Sequence, residues 1–167
     1  MLAKIFTHRL KWLLNMGKIN QMTLQIRNLR AEDRTEWAAL WREYLEFYET
    51  ELPEEIYDSS FMRMMSDSDH EFHGLVAEKD GELIGITHYL FHRHGWKIED
   101  VCYLQDLYVS DKARGTGAGR ALIEAVFEKA DKMGAPAVYW MTQETNATAR
   151  HLYDRIAKLT PFVKYSR

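Results

Sequence analysis

Residues 104–120 read Leu-Gln-Asp-Leu-Tyr-Val-Ser-Asp-Lys-Ala-Arg-Gly-Thr-Gly-Ala-Gly-Arg: a strand pattern, a short loop, then a glycine-rich turn that opens a helix. Glycines at 115, 117 and 119 let the backbone come close to a ligand. The unpaired amides of a helix start offer that ligand N–H groups and the positive end of the helix dipole. Such a turn binds an anion, and a phosphate or pyrophosphate is its natural occupant. Two other phosphate motifs fail on spacing. A P-loop needs Gly-Lys-Ser/Thr, which is missing, and a dinucleotide fingerprint needs a third glycine at position 120, where Arg120 stands.

Two further groups of residues could carry chemistry. Residues 43–58 hold Glu43, Glu46, Glu49, Glu51, Glu54, Glu55 and Asp58 without a Lys or Arg, interleaved with Tyr44, Phe47, Tyr48 and Tyr57. That run reads either as a wall that receives a cation, by charge and cation–π contact, or as a solvated helix face. His88, His92 and His94 sit at alternate positions, but His94 falls at a turn and no Cys or carboxylate completes a ligand set, so no metal is expected. Cys102 lies in a buried strand pattern and reads as packing.

The elements that must position these residues follow from periodicity. Leu24, Ile26 and Leu29 mark an opening strand. Trp37, Leu40, Trp41, Tyr44, Leu45 and Tyr48 then recur at helical spacing, with Asp33 as a candidate cap and polar residues opposite. Pro53 suits the start of a shorter helix through Ile56, Phe61, Met62 and Met65, ended by the polar run 66–69. Residues 74–78 and 83–91 read as strands joined by an Asp80-Gly81 hairpin, and a turn at His94-Gly95 leads to a third strand, 101–109. Leu122, Val126, Ala130 and Met133 line a helix that Gly134 and Pro136 stop. A buried strand over 137–141, a helix over 147–157 carrying Ala149, Leu152, Tyr153 and Ile156, and a closing strand over 162–165 complete the chain. The predicted order is β-α-α-β-β-β-α-β-α-β: one α/β (α+β) domain whose mixed, mostly antiparallel sheet is flanked by helices.

Composition bounds the function. The chain has 167 residues, 46% hydrophobic and 28% charged, with 3 Pro and 9 Gly, which describes a single well-cored domain rather than a disordered or fibrous chain. One cysteine rules out an intrachain disulfide, and a reducing cytoplasm is the expected compartment. No apolar run reaches the roughly 18 residues of a membrane span. Residues 1–21 carry Lys4, Arg9, Lys11 and Lys18 and no acid, leaving 18 basic against 25 acidic residues, a net charge of −7, for residues 22–167. An acidic body disfavours nucleic acid and favours a cationic partner. The basic, amphipathic residues 1–21 read as an over-extended start before Met22, as an accessory or surface-binding helix, or least readily as a targeting peptide, so the domain proper is 22–167.

Arg114-Gly115-Thr116-Gly117-Ala118-Gly119 matches the Arg/Gln-x-x-Gly-x-Gly/Ala signature of the GNAT superfamily of acetyl-coenzyme A dependent N-acetyltransferases. The preceding strand and the segment Trp140-x-Thr142-x-x-x-Asn146-x-x-Ala149-Arg150-x-Leu152-Tyr153 match in order and spacing. The likeness spans residues 23–167, and within the superfamily the chain most resembles the histone and polyamine acetyltransferase subgroup. The resemblance implies acetyl-coenzyme A as cosubstrate, held through its pyrophosphate by the amides of Arg114, Gly115, Thr116, Gly117, Ala118, Gly119 and Arg120. It also implies main-chain pairing of the pantetheine arm with Leu107, Tyr108 and Val109, a contact from Asn146, and Tyr153 as the general acid that protonates the departing thiolate. The acceptor side would include Glu43, Tyr44, Glu46, Gln105 and Asp106. Relatives of the diamine type often carry Glu where this chain has Gln105, so the base that deprotonates the acceptor stays open among Asp106, Glu99, a histidine and a water chain.

The expected activity is direct acetyl transfer to a primary amine, first a small cationic one such as a polyamine or an amino-acid-like amine. A lysine acetyltransferase acting on basic protein tails and a non-catalytic acyl-coenzyme A sensor are the alternatives. A homodimer is expected. Many relatives follow the tyrosine helix with Leu-Gly-Phe, whereas here Ile156-Ala157-Lys158-Leu159-Thr160-Pro161-Phe162 intervenes, which bears on the last strand and on any strand exchange between subunits.

Overall fold

A computed structural model describes residues 24–167, so the reading of residues 1–21 lies outside the described part. Five strands form one sheet in sequence order: β1 (Gln25–Asn28), β2 (His73–Lys79), β3 (Glu82–His92), β4 (Val101–Val109) and β5 (Val138–Tyr139). The first four pair antiparallel and β5 pairs parallel to β4. Helices α1 (Arg34–Phe47) and α2 (Glu54–Met64) cover one face, α3 (Ala118–Met133) covers the other, and α4 (Ala147–Ile156) follows β5.

The apolar stripes explain this layering. Trp37, Leu40, Trp41 and Leu45 of α1 and Tyr57, Phe61 and Met64 of α2 bury against Val76 and Ile86 of the sheet. Leu122, Ile123, Val126 and Ala130 of α3 pack against Leu75, Ala77, Tyr89, Cys102 and Leu104 on the opposite face. Met133, expected on that stripe, is 46% exposed, and Ile123 takes the buried place instead. The hairpin at Asp80-Gly81 forms as expected between β2 and β3.

Asp33 does not cap α1 through its side chain. Its carboxylate accepts instead from Arg27 at 2.7 and 2.9 Å and from the Arg30 amide at 2.8 Å, tying β1 to the chain entering α1. Burial opposes the charge, but the guanidinium and the amide hold the Asp33 carboxyl below the usual carboxylate range.

Two expectations at the far end are corrected. The strand over 137–141 shrinks to the pair Val138–Tyr139, half-exposed rather than buried. The closing strand over 162–165 is absent: past Ile156 the chain is irregular, and Phe162 and Tyr165 are 80% and 90% exposed. The helix ends at Ala157 in extended backbone, not at a glycine that would turn the chain back onto the sheet. Pro161 then removes a donor from the segment that would have to pair.

Where β3 crosses β4, a Cβ on Gly85 would lie 2.9 Å from the Tyr108 carbonyl oxygen and 3.2 Å from Val109 Cγ2. Gly85→Ala should therefore push β3 from the end of β4, costing about 2 kcal/mol. Thermal unfolding should show a midpoint lower by about 5 °C.

Candidate active site

The geometry of the site begins with one extra residue in β4. Tyr89 pairs with Leu104 and His88 with Asp106, which leaves Gln105 without an opposite partner. Because side chains alternate along a strand, this bulge turns the residues after it to the other face. Cys102 and Leu104 point to the α3 side, Asp106 and Tyr108 to the α1 side, and Leu107 and Val109 return to the α3 side. Gln105 itself is exposed at the bulge.

Downstream of the bulge β4 has no neighbour on its outer edge among the described residues. The pairing with β5 covers only Cys102–Val138 and Tyr103–Tyr139, so the two strands part and leave the outer main-chain groups of residues 105–109 free in a wedge. Aromatic rings line this opening. Tyr103 stacks on Tyr139 at 5.0 Å, Trp140 meets Tyr153 edge-on at 5.3 Å, and Tyr44 and Tyr48 of α1 pack edge-on at 5.1 Å.

The glycine turn closes one end of the wedge. Gly115 and Gly117 take φ of 79° and 86°, left-handed backbone that L side chains rarely adopt, and α3 starts at Ala118 directly behind them. Gly119 brings that first turn against Val109 and Leu152 of α4. The side chains of Arg114 and Arg120 are exposed and pair locally with Asp111 and Glu124, and Thr116 donates to the Ala113 carbonyl at 2.7 Å. What the turn offers a ligand is its backbone amides.

At the other end, Asn146 caps α4. Its Oδ1 accepts from the Ala149 amide at 3.3 Å and its Nδ2 donates to Thr142 Oγ1 at 3.1 Å. Tyr153, two turns along the helix, is half-buried in the aromatic lining. Burial first, and then Tyr48, push its hydroxyl up to about 12.

The acidic and aromatic run on α1 is divided by the helix. Burial first, and then the charge of Asp106, hold the Tyr44 hydroxyl well above the ordinary phenol range. Glu43 lies on another side, accepting from the Tyr108 hydroxyl at 3.0 Å, and Glu46 faces a groove shared with Lys79, Lys112 and Arg114. Glu54 and Asp58 are occupied by Arg34 at 2.7 and 2.8 Å.

The three histidines separate. His88 is buried beside Asp106, His92 bonds the Tyr139 hydroxyl at 2.9 Å, and His94 accepts from the Trp96 amide. Among the described residues no group of three or more His, Cys, Asp or Glu is arranged to hold a metal.

A wedge between parallel strands, edged by free main-chain groups and closed by a glycine turn at a helix start, suits an extended, amide-bearing ligand with an anionic end. The Acetyltransferase (GNAT) family model matches residues 36–157, and the chain belongs to that family. It is 38% identical over 143 residues to D-amino-acid N-acetyltransferase HPA3 of Saccharomyces cerevisiae, covering 85% of this chain and 89% of the relative. It is 30% identical over 144 residues to the uncharacterized N-acetyltransferase YhfO of Bacillus subtilis, covering 85% and 95%. Among solved structures, aminoglycoside N-acetyltransferase AAC(6')-Iy in complex with CoA superposes with a TM-score of 0.76 at 19% identity, over 87% of this chain and 94% of that one. The protein is thus an acetyl-coenzyme A dependent N-acetyltransferase acting on amine acceptors. Among the described residues no helix is long and apolar enough to cross a membrane.

Sequence reasoning read Trp37 as core and weighed His88 as a metal ligand and, with the other histidines, as a candidate base, without the contact between the two. The sequence signal was a His beside a Thr in the middle of a largely apolar strand, at a register position that only pairing with Asp106 reveals.

The position of Tyr153 gives a titration test. With a folded value near 12 against about 10 for a free phenol, its contribution to stability is complete below pH 10 and is lost as pH rises through 12. The ultraviolet titration of the wild type minus that of Tyr153→Phe should therefore show one phenol ionising near pH 12.

Proposed function

We propose that the protein transfers acetyl from acetyl-coenzyme A to the primary amine of a small acceptor, an amino-acid-like amine before a polyamine, by direct attack in a ternary complex. The observation that carries this reading is the parting of β4 from β5 beyond Tyr103–Tyr139. It leaves a strand edge free to pair with an amide-bearing arm, with the glycine turn at one end and Tyr153 beside it.

In this reading the turn over residues 114–120 holds the pyrophosphate at the start of α3, where the helix dipole and the N–H groups left free beside those of Arg114 and Thr116, which donate to Asp111 and Ala113, favour an anion. Main-chain groups of Leu107, Tyr108 and Val109 hold the pantetheine arm, and Asn146 borders it while capping α4. As the amine attacks the thioester carbonyl, a free amide near Val109 stabilises the oxyanion. Tyr153, held protonated by burial, gives its proton to the departing thiolate. No covalent enzyme intermediate is required.

Two features favour the amino-acid-like acceptor. The relative HPA3 bears the name D-amino-acid N-acetyltransferase, and three of the seven carboxylates of the 43–58 run, which a polycation would need together, are already paired: Glu43 with Tyr108, and Glu54 and Asp58 with Arg34.

The test is thiol release from acetyl-coenzyme A across D- and L-amino acids, polyamines and lysine-bearing peptides. Turnover on amino acids supports the reading, whereas turnover confined to polyamines or to peptides overturns the acceptor class. Tyr153→Phe should lower kcat by about 100-fold and leave the KM for acetyl-coenzyme A within about twofold. Gly117→Ala places a Cβ at φ 86°, a strain of about 1–2 kcal/mol that disfavours the binding-competent turn. Calorimetry should show acetyl-coenzyme A bound about tenfold more weakly.

A further inference from the structure

Between the C-terminal ends of α2 and α3, at the end of the sheet away from the glycine turn, lies a cavity of about 390 Å³ that the steps above do not use. Its size falls within the roughly 300–1,000 Å³ of small-molecule sites. Lys132, which lines it, stands about 21 Å along α3 from Ala118, so the cavity is separate from the wedge. Its floor is aromatic. The His73 ring stacks on Tyr89 at 5.1 Å, and Phe91 meets both rings edge-on at 5.8 Å. Met64, Met65 and Met133 add thioethers around them. A further aromatic ring laid on such a floor meets ring edges and polarizable sulfur, contacts that stabilise beyond the area they bury.

The polar groups around this floor lack partners. Tyr89 is 4% exposed, yet its hydroxyl makes no hydrogen bond among the described residues. It is not sealed in the core either, where the partnerless polar side-chain atoms are Trp41 Nε1 and Asp100 Oδ1. The Tyr89 oxygen therefore opens on the cavity that Tyr89 lines. Burial pushes its hydroxyl up, so it remains a donor at neutral pH. Charges of both signs stand at the rim: Lys129 and Lys132 on one face of α3, and Asp67 and Asp69 on the loop that follows α2. None of the four ion-pairs with a described residue. Two ammonium groups, two carboxylates and a hydroxyl donor thus border one cavity without satisfying one another. A ligand that carries both a carboxylate and an ammonium on an apolar body satisfies them together.

We propose that this cavity is a second small-molecule site, distinct from the wedge, that binds an amino acid with an aromatic side chain as its zwitterion. The ring lies on the His73, Tyr89 and Phe91 floor. The carboxylate is held by Lys129, Lys132 and the Tyr89 hydroxyl, and the ammonium by Asp67 and Asp69. Binding is non-covalent, changes no bond and does not depend on the reading of the wedge.

The experiment titrates the full chain by calorimetry with D- and L-phenylalanine, with phenethylamine, which lacks the carboxylate, and with 3-phenylpropionate, which lacks the ammonium. Methyl NMR of protein carrying [13C-methyl]methionine locates the bound ring by the shifts it induces, and melting temperature checks that each variant is folded. The better phenylalanine enantiomer should bind about tenfold more tightly than either analogue and move the methyl signals of Met64, Met65 and Met133. Reversing both lysines, Lys129→Glu with Lys132→Glu, should weaken phenylalanine and 3-phenylpropionate about tenfold and leave phenethylamine no weaker. Tyr89→Phe, which keeps the ring and removes the hydroxyl, should weaken phenylalanine about fivefold. Equal affinity for the three compounds would overturn the zwitterion. Binding with those three methyl signals unmoved, or unchanged phenylalanine affinity in the folded lysine variant, would overturn the site, as would absence of phenylalanine binding by the wild type at millimolar concentration.

Discussion

A single unpaired residue in β4 sets the geometry on which the site depends. Alternation along a strand is strict, so without the bulge at Gln105 the Asp106 side chain would enter the apolar layer between sheet and α3, with Leu104 and Cys102. With it, Asp106 faces His88 and α1, Leu107 and Val109 return to the core, and β4 bends away from its outer neighbour. Both the separation of β4 from β5 and the placement of the buried carboxylate follow from that one register shift. A bulge in mid-strand sacrifices ladder pairing, and here Gln105 loses its partner on β3 while the strand bends.

The two helical layers divide the work according to what they bury. The layer under α3 is aliphatic, with Leu122, Ile123 and Val126 against Leu75 and Leu104, and it holds the glycine turn at the end of a rigid helix. The layer under α1 is aromatic and polar. Its two tryptophans, 5.1 Å apart, supply both packing area and one N–H donor. That difference lets one face of the sheet present backbone amides while the other presents charge.

The glycine turn, the hairpin and the amphipathic stripes were legible in the sequence because each is a local property, with a period, a turn residue or a spacing of its own. The bulge was not legible, since Leu104 to Val109 reads as a regular strand and nothing within those residues says which of them lacks a partner across β3. The histidines were visible as residue types but not as neighbours, because the partners of His88 come from α1 and from β4, distant in the chain. The closing strand was misread for the same reason in reverse. Phe162 to Tyr165 has strand-like composition, yet a strand forms only where an edge is within reach, and the chain leaving Ala157 without a glycine runs past it.

By itself, then, the sequence determined the element types and their order as far as α4, the glycine turn and the family, since these rest on local periodicity and on motif spacing that no distant contact can alter. Tertiary structure alone decided which face each residue after Gln105 presents, that Glu43 meets Tyr108 while Asp106 meets His88, and that an indole fixes the tautomer of a buried histidine. Those outcomes depend on register between strands and on the rotation of α1 about its axis, which are set by packing the whole core at once.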